Sequence, residues 1–273
     1  MKATVFLGGG RITAALIAGL RLAKYKTRIL VHDHHPAKLR ELANRYKVAA
    51  ELSLPGAVAQ AQLLIVAVPP NAVSKLLYKI GGVRRPMLAV SLAAGVPLST
   101  LRTQMGGPVR WARAMPSPVC RSGRGLTALT FAKGLPVGDR RALRLFFSNL
   151  GSVVELSELH FDAFTATYSP SHGYHALHTL AGAAIKLGLP PKLALTAAAH
   201  ALGDSIVSWR GARIPLRTLI REAATPGGIA ASVMSSMDRG NYGALVEKAL
   251  RAGLARARAN RKMSALPPGR QPS

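Results

Sequence analysis

The sequence predicts an α/β protein in which a doubly wound sheet is followed by an all-helical domain. In the first half of the 273-residue chain, short apolar runs alternate with helical patterns, as is typical of parallel strands buried on both faces. From Ser157 to Met263, by contrast, Ala, Leu and Gly recur at helical spacing with almost no strand-like alternation. A hydrophobic content of 49% is ample for the cores of two ordinary domains.

The individual elements follow from these patterns in chain order. Apolar runs predict strands at Ala3–Leu7, Thr27–His32, Leu63–Val68, Met87–Ser91, Val109–Met115 and Leu126–Phe131. Helical periodicity predicts helices at Ile12–Leu22, Ala37–Tyr46, Asn71–Ile80, Arg140–Leu150, Leu177–Leu187 and Leu193–Trp209. We therefore divide the chain into a sheet domain at 1–155, a helical domain at 156–263 and a disordered tail at 264–273, which is rich in Pro.

The turn after the first strand is the most informative segment of the chain. The strand leads into a triple glycine, and an Ala- and Leu-rich helical pattern follows at once. A dinucleotide pyrophosphate requires this order, because glycine permits the turn and the helix N-terminus offers free N–H groups to the phosphates. Thr13 replaces the third glycine of G-x-G-x-x-G, and the alternative is a strand-to-helix turn that binds nothing. We predict a Rossmann-type, dinucleotide-binding domain with coenzyme contacts from Gly8, Gly9, Gly10, Arg11, Ile12 and Thr13.

Further coenzyme contacts are expected at the carboxyl ends of the other strands, where doubly wound sheets bind ligands. Asp33 follows the second strand and could accept hydrogen bonds from the adenosine ribose, which favours NAD. His34, His35 and Lys38 could instead neutralise a 2′-phosphate, and the charge balance favours NADP, with NAD as the second choice. Asp33 could equally be a simple helix cap before Pro36. The predicted contacts at these strand ends are Asp33, His34, Ala67, Val68, Pro70 and Ala94.

The formal charge of +26 requires a polyanion to be considered as a partner. The arginines are scattered, however, without interleaved aromatic residues or a helix-turn-helix pattern, and the densest cluster runs from Arg251 to Lys262. We interpret the charge as a solvated surface that steers an anionic coenzyme or acidic substrate. This pattern argues against specific recognition of nucleic acid, although binding of a polyanion stays an alternative.

The sequence indicates a cytoplasmic setting. Cys120 is the only cysteine, so an intramolecular disulfide is excluded and a reducing compartment is expected. The opening apolar run lacks the features of a signal peptide, and all other apolar runs are too short to span a bilayer. We expect no membrane association.

Seven short segments along the chain resemble motifs of one family in that family's order. They are the glycine loop from Gly8, Ala67–Pro70, Ser91–Gly95, Arg113–Pro116, Glu158–Thr165, Ala184–Pro190 and Thr225–Gly228. They are similar to the G-x-G-x-M-x-x-A-L, A-V-K-P, S-x-A-A-G, R-x-M-P, E-x-x-x-D-x-x-T, A-x-K-L-G-L-P and S-P-G-G motifs of pyrroline-5-carboxylate reductases. The chain thus resembles this family over nearly its whole length.

The resemblance implies a specific fold and activity. Members of the family carry a Rossmann-type domain followed by a helical dimerisation domain, and they reduce the cyclic imine 1-pyrroline-5-carboxylate to proline with NADPH or NADH. For this chain it implies an NAD(P)-dependent oxidoreductase acting on a C=N bond of an imino acid. It also implies a homodimer or larger homo-oligomer formed through the helical domain, in which helix N-termini and backbone N–H groups hold the substrate carboxylate.

The departures from the family's motifs fall mainly in the expected pocket. Ile229-Ala230 stand where the family has Thr-Thr, and Tyr168–Tyr174 replaces S-G-S-G-P-A-Y with only its aromatic end retained. Met115–Pro118 is one residue shorter than M-P-N-T-P, and Pro69 replaces a lysine. A changed substrate, or a degenerate paralogue that binds a dinucleotide as a sensor or scaffold, is therefore an alternative.

Candidate residues for the chemistry lie in the same segments. An iminium is already electrophilic, so the protein need only position the reactants and place a polar group near nitrogen. We predict catalytic roles for His172, Tyr174 and Thr225, and substrate contacts from Ser117, Tyr174, Thr225, Gly227 and Gly228. Tyr174 could instead be buried in a helical core, and the Pro226-Gly-Gly segment could merely join two helices. His172, His175 and His178 recur every three residues, but without an acidic ligand this spacing does not predict a metal site.

Overall fold

The computed structural model describes residues 3–265, and its first half is built on one eight-stranded sheet. The strands are β1 (Ala3–Leu7), β2 (Ile29–His32), β3 (Ala49–Ala50), β4 (Ala61–Val66), β5 (Met87–Ser91), β6 (Val109–Pro116), β7 (Gly125–Phe131) and β8 (Gly151–Glu155). They lie in the order β3-β2-β1-β4-β5-β6-β7-β8, and neighbours are parallel except for β6 and β7. The predicted doubly wound sheet is therefore confirmed.

Helices cover both faces of the sheet and make up most of the second half. They are α1 (Arg11–Leu22), α2 (Pro36–Tyr46), α3 (Leu54–Gln60), α4 (Pro70–Ile80), α5 (Leu98–Gln104), α6 (Val137–Ser148), α7 (Glu158–Thr167), α8 (Pro170–Lys186), α9 (Pro191–Ala212), α10 (Leu216–Ala223), α11 (Ile229–Arg239) and α12 (Tyr242–Ala265). A 3-10 helix at Pro118–Ser122 connects β6 to β7. The second half is helical as predicted.

The alternation of side chains along β1 divides the core into two layers. Phe6 belongs to the apolar cluster that includes Leu16 of α1, whereas Val5 belongs to the cluster that includes Val73 of α4. Successive residues of a strand point to opposite faces, so a short run that is apolar throughout is covered on both sides. All five residues of β1 are buried accordingly.

The strand order reverses at β1, which pairs with β2 on one side and β4 on the other. The loops after β1 and β4 consequently leave the sheet next to each other at its carboxyl edge. Such a switch point is where open α/β sheets form a crevice for ligands. The glycine loop begins at this point.

Several short elements were not predicted, and three of them are β3, α3 and α5. β3 has only two residues, and α3 contains Pro55 and Gly56, which sequence patterns associate with turns. α3 forms because Pro55 lies in its first turn and the Ser53 hydroxyl accepts a hydrogen bond from the Gly56 N–H at 3.2 Å. The third is α5, which spans only Leu98–Gln104.

The described chain divides into two compact units, residues 3–168 with 252–265, and residues 169–251. The C-terminal part of α12 thus packs in the first unit. A Cβ atom on Gly95 would lie 2.4 Å from the carbonyl oxygen of Ala257, and the Ser264 carbonyl accepts hydrogen bonds from Ser74 (2.6 Å) and Gln104 (2.7 Å). The predicted boundary between residues 155 and 156 stays a prediction. Of the predicted tail, Ser264 and Ala265 are helical, and 266–273 lie outside the described residues.

The second unit leaves much apolar surface exposed. In α8 and α9 the buried residues are Ala181, Ala194 and Ala198, and the described side chains of α10 and α11 include no buried residue. Large apolar side chains on its helices and connections are exposed, among them Leu187, Leu195, Val207, Leu216, Ile229 and Leu245. Exposed large apolar side chains in such number are typical of an interface between proteins. Within residues 3–265, no helix combines the length and the hydropathy of a bilayer-spanning segment.

Candidate functional site

The glycine loop is held in a fixed shape by contacts that only particular residues can make. Gly8 has a φ of +108°, and a Cβ atom there would lie 2.6 Å from the carbonyl oxygen of Ala67. Glycine is therefore required at this position, because both the backbone angle and the space exclude a side chain. The Thr13 hydroxyl donates a 2.6 Å hydrogen bond to the Gly8 carbonyl oxygen. Thr13 is fully buried, so its side chain holds the loop and offers no surface to a ligand.

Gly10 faces open space at the start of α1. It is the N-cap residue of the helix, no side chain caps the helix there, and a Cβ atom on Gly10 would have no atom within 4 Å. The first N–H groups of a helix lack partners within the helix and carry partial positive charge. Glycine at this position thus leaves room beside N–H groups suited to phosphate, which fits a dinucleotide. Of the following residues, Arg11 is exposed and Ile12 is half-buried.

Asp33 is a structural partner of the glycine loop. One carboxylate oxygen accepts a hydrogen bond from the Gly9 N–H at 2.7 Å, and the other accepts the His35 N–H at 2.9 Å. Burial alone would raise the pKa of this carboxyl group. The hydrogen bonds from Gly9 and His35 and the charge of Lys38 outweigh burial, so the pKa lies below its usual value. The N-cap residue of α2 is His35 rather than Asp33, and the interpretation of Asp33 as the helix cap is wrong.

Replacement of Asp33 by Asn is expected to reduce stability most at neutral pH. A carboxyl group whose pKa is lowered on folding stabilises the protein at pH values above its unfolded pKa of 3.8. This stabilisation is lost as the pH falls through the pKa of the folded state. Hydrogen bonds to a charged acceptor suggest a loss of about 1–3 kcal/mol in the free energy of unfolding at neutral pH. Urea unfolding of both proteins at pH 7 and about pH 3 measures this difference. A difference that does not shrink in acid would contradict the assigned role.

Two imidazoles lie beside this carboxylate on the surface. The rings of His34 and His35 lie with their centroids 3.8 Å apart and are tilted by 47°, and the His34 side chain is 83% exposed. With the exposed Lys38, they place three basic groups at the end of β2. The structure also places the potential metal-ligating atoms of Asp33, His34 and His35 within 4.8 Å of one another. Within residues 3–265, this is the one group of three or more His, Cys, Asp or Glu side chains with that property. The structure does not gather His172, His175 and His178 into such a set.

The predicted contacts after β4 and β5 lie at the same edge of the sheet. Ala67 borders Gly8 directly, and Val68 has a methyl group 3.2 Å from the position a Gly8 Cβ would take. Pro70 is the first residue of α4, with Pro69 as its N-cap residue. The carbonyl oxygen of Ala94 accepts a 3.2 Å hydrogen bond from the Asn260 side chain, which fixes the loop after β5. The strand topology thus brings the predicted coenzyme residues together.

A buried ionic network connects β6 to α7 and was not predicted. The Arg113 side chain is 1% exposed and donates hydrogen bonds to Glu158 (3.2 Å) and Asp162 (3.1 Å). Its guanidinium also lies 4.4 Å from the ring centroid of Phe161. Asp162 accepts a second hydrogen bond from Arg261 of α12. The R-x-M-P and E-x-x-x-D-x-x-T segments contain most of these residues, but only the structure shows that they pair.

Ser117 is engaged within the protein. It is 3% exposed, and its hydroxyl accepts hydrogen bonds from the Tyr168 hydroxyl at 3.0 Å and from the Val119 N–H at 3.3 Å. The Tyr168 oxygen in turn accepts the Leu126 N–H at 2.8 Å. This arrangement anchors the turn between β6 and β7. It leaves the Ser117 side chain without a free surface for the predicted substrate contact.

The other predicted substrate residues lie in the second unit. His172 and Tyr174 are in the first turns of α8, and Tyr174 is 69% exposed, so its alternative placement in a helical core is wrong. Gly227 has a φ of +77°, and the Gly228 N–H donates to the Thr225 carbonyl oxygen at 2.9 Å, which forms a turn. Gly228 is then the N-cap residue of α11. Because the Gly228 N–H is used in the turn, it is not available for the predicted substrate contact, whereas the N–H groups in the first turn of α11 are.

Comparisons with known proteins cover both halves of the chain. Residues 4–95 match the family model for NADP oxidoreductase, coenzyme F420-dependent, and residues 158–260 match that for pyrroline-5-carboxylate reductase dimerisation. The pyrroline-5-carboxylate reductase of Synechocystis sp. is 30% identical over 261 residues, which cover 92% of this chain and 95% of that protein. The Mycobacterium leprae enzyme is 27% identical over 286 residues, with coverage of 94% and 96%.

Solved structures of the same enzyme share the fold. The 1-pyrroline-5-carboxylate reductase of Streptococcus pyogenes superposes with a TM-score of 0.87 at 23% identity, over 94% of this chain and 98% of that one. The Plasmodium falciparum pyrroline carboxylate reductase, solved with NADP bound, gives a TM-score of 0.84 at 20% identity, with coverage of 95% and 98%. Because one relative reaches 30% identity over almost its full length, the chain belongs to the pyrroline-5-carboxylate reductase family.

Proposed function

We propose that this protein is an NAD(P)-dependent oxidoreductase that reduces the C=N bond of a cyclic imine, 1-pyrroline-5-carboxylate to proline or a related imino acid. The observation that carries the proposal is the open space at Gly10 in front of the α1 N-terminus. That space lies at the switch point of the sheet, in a chain whose relatives are named for this reaction. When bound, the coenzyme supplies a hydride.

The residues at the carboxyl edge of the sheet would hold the coenzyme. The N–H groups at the start of α1 face the space suited to the bridging phosphates. NADP is favoured over NAD because the Asp33 carboxylate is already engaged by Gly9 and His35, whereas His34 and Lys38 are exposed beside it. An imidazole N–H and an ammonium there would donate hydrogen bonds to a 2′-phosphate.

The start of α11 supports a role in holding the substrate carboxylate. Its first-turn N–H groups and the exposed Thr225 are suited to an anion. Ile229 and Ala230 supply no hydroxyl for the imine nitrogen, so we propose that the chain relies on positioning and on the intrinsic reactivity of an iminium. His172 is our candidate proton donor, and Tyr174 is our candidate pocket-lining residue. A His172→Gln variant with unchanged turnover and an unchanged pH profile would dismiss the role of His172.

We further propose a homodimer or larger homo-oligomer that forms through the helical domain. Support comes from the exposed apolar side chains of the second unit and from the match of residues 158–260 to a dimerisation model. A reducing, cytoplasmic setting is proposed as well, supported by the single cysteine. Burial raises the pKa of the Cys120 thiol to about 12, which makes it a poor nucleophile at neutral pH.

Oxidation of NADPH in the presence of 1-pyrroline-5-carboxylate tests the activity directly and is expected to be catalytic. The assay is followed at the nicotinamide absorbance, with NADH and other cyclic imines in parallel. Calorimetric titration with NADPH is run on the same preparation. Binding without oxidation of the coenzyme by any imine would overturn the activity and favour the dinucleotide-binding paralogue, and an absence of binding would overturn both.

A further inference from the structure

A second cavity lies at the opposite edge of the sheet from the glycine loop. It has a volume of about 570 Å³ and is bordered by α5, the start of β6 and the segment after β7. β6 runs parallel to β5, and β7 runs antiparallel to β6. The start of β6 and the end of β7 therefore share the amino edge of the parallel strands, whereas the glycine loop lies at their carboxyl edge. We refer to this feature as the basic cavity.

The charged residues that line the basic cavity are all cationic. Arg102 comes from α5, Arg110 from β6 and Lys133 from the segment after β7. Arg110 forms an ion pair with Asp139, a residue of α6 that is not part of the lining. Among the residues that the structure describes, Arg102 and Lys133 have no carboxylate within ion-pair distance. Two uncompensated cations consequently face one space, together with a third that is already neutralised.

The remainder of the lining permits a ligand to approach the main chain. Gly106, Gly107 and Gly134 supply no side chain, and Ser99 and Thr103 place hydroxyl groups on the same face of α5 as Arg102. Trp111 forms part of the floor and is held by a 2.7 Å hydrogen bond from its indole N–H to the Met105 carbonyl oxygen. The volume falls in the range typical of small-molecule sites, about 300–1,000 Å³.

We propose that the basic cavity binds a small polyanion of the oligophosphate class, at a site separate from the coenzyme crevice. A chain of phosphate groups distributes negative charge over several tetrahedral centres, so it can meet Arg102 and Lys133 at once. Guanidinium and ammonium groups both pair strongly with phosphate oxygens. The reduction of an imine does not require a net charge of +26, and such a site would account for part of this positive charge.

Calorimetric titration of the full-length protein with sodium tripolyphosphate at constant ionic strength tests the proposal. We expect saturable binding, with one site per chain when the coenzyme crevice is blocked by Gly10→Asp. An Arg102→Gln/Lys133→Gln variant should bind about tenfold more weakly or worse, which corresponds to at least about 1.4 kcal/mol. The matched control is Lys26→Gln/Arg124→Gln, which removes one lysine and one arginine at exposed positions of the same unit and lowers the net charge equally. The control should bind like the unaltered chain.

Two further titrations separate this site from the coenzyme crevice and from other anions. Tripolyphosphate should still bind to a Gly10→Asp variant, in which a carboxylate occupies the space before α1. This titration does not depend on the proposed reductase activity, so its result can be interpreted even if that activity is absent. Citrate should bind more weakly than tripolyphosphate. The proposal is overturned if both double variants lose affinity equally, if Gly10→Asp abolishes binding, or if citrate binds as tightly.

Discussion

A Gly10→Asp variant is expected to fold as stably as the unaltered chain and to lose NADPH binding by about 100-fold or more, about 2.7 kcal/mol. Gly10 has a φ of −78° and its Cβ position is free of neighbours, so a side chain fits without strain. Asp is among the preferred N-cap residues and suits the positive end of a helix. If the coenzyme phosphates lie against the α1 N-terminus, the new carboxylate takes their place and repels them.

Gly10→Asn is the matched control, because Asn has nearly the same shape and cap preference without the charge. It should weaken NADPH binding less than Gly10→Asp, and the difference between the two variants measures repulsion alone. Calorimetric titration gives both affinities, and urea unfolding verifies that the fold is intact. Unchanged NADPH affinity in the folded Gly10→Asp protein would show that the phosphates bind elsewhere, and the proposed coenzyme site would be wrong.

An Arg113→Ala variant is expected to lose about 3–5 kcal/mol of stability, since truncation of this fully buried side chain leaves a cavity and removes a charged partner from the partly exposed Glu158 and the mostly buried Asp162. Arg113 is the shared partner of Glu158 and Asp162, and Glu158 also accepts the Leu98 N–H at 2.6 Å. Asp162 keeps its hydrogen bond to Arg261, so Glu158 loses more of its compensation. The contact of the guanidinium with the Phe161 ring is lost as well.

Urea unfolding at one fixed protein concentration measures the loss, because association with a second copy would otherwise shift the apparent stability. Arg124→Ala serves as the control, because Arg124 is exposed and a surface change of this kind alters stability by about 0.5 kcal/mol or less. A loss below about 1 kcal/mol for Arg113→Ala would mean that the network contributes little to the fold.

The fold could be predicted from the sequence because its strands are buried on both faces. β1 and β5 begin and end where the apolar runs Ala3–Leu7 and Met87–Ser91 do. Short elements such as β3 and α3 escaped prediction, since two residues carry no periodicity and Pro55 and Gly56 resemble a turn. Periodicity reports burial over several residues, so elements shorter than about two turns give little signal.

The site was predictable where it depends on backbone shape and less so where it depends on side-chain partners. The position of the glycine loop follows from the order of strand, glycine and helix. That Thr13 and Ser117 point inward, and that the Asp33 carboxylate binds a loop N–H, depends on contacts across 5, 51 and 24 positions of the chain. Residue types alone do not reveal such pairings. The ion pair of Arg113 and Glu158 could not be predicted for the same reason. Each residue occurs in a recognisable segment, but neither segment indicates which residue the other one contacts.

The return of α12 to the first unit affects how the protein can fold during synthesis. The loop that ends in Gly95 packs against the backbone of Ala257, and the carbonyl oxygen of Ser264 receives the side chains of Ser74 and Gln104. N-terminal domains commonly fold while the rest of the chain is still being made. Here the nascent sheet lacks these contacts until translation has passed residue 264, so the N-terminal unit reaches its final packing only after Ser264 has left the ribosome.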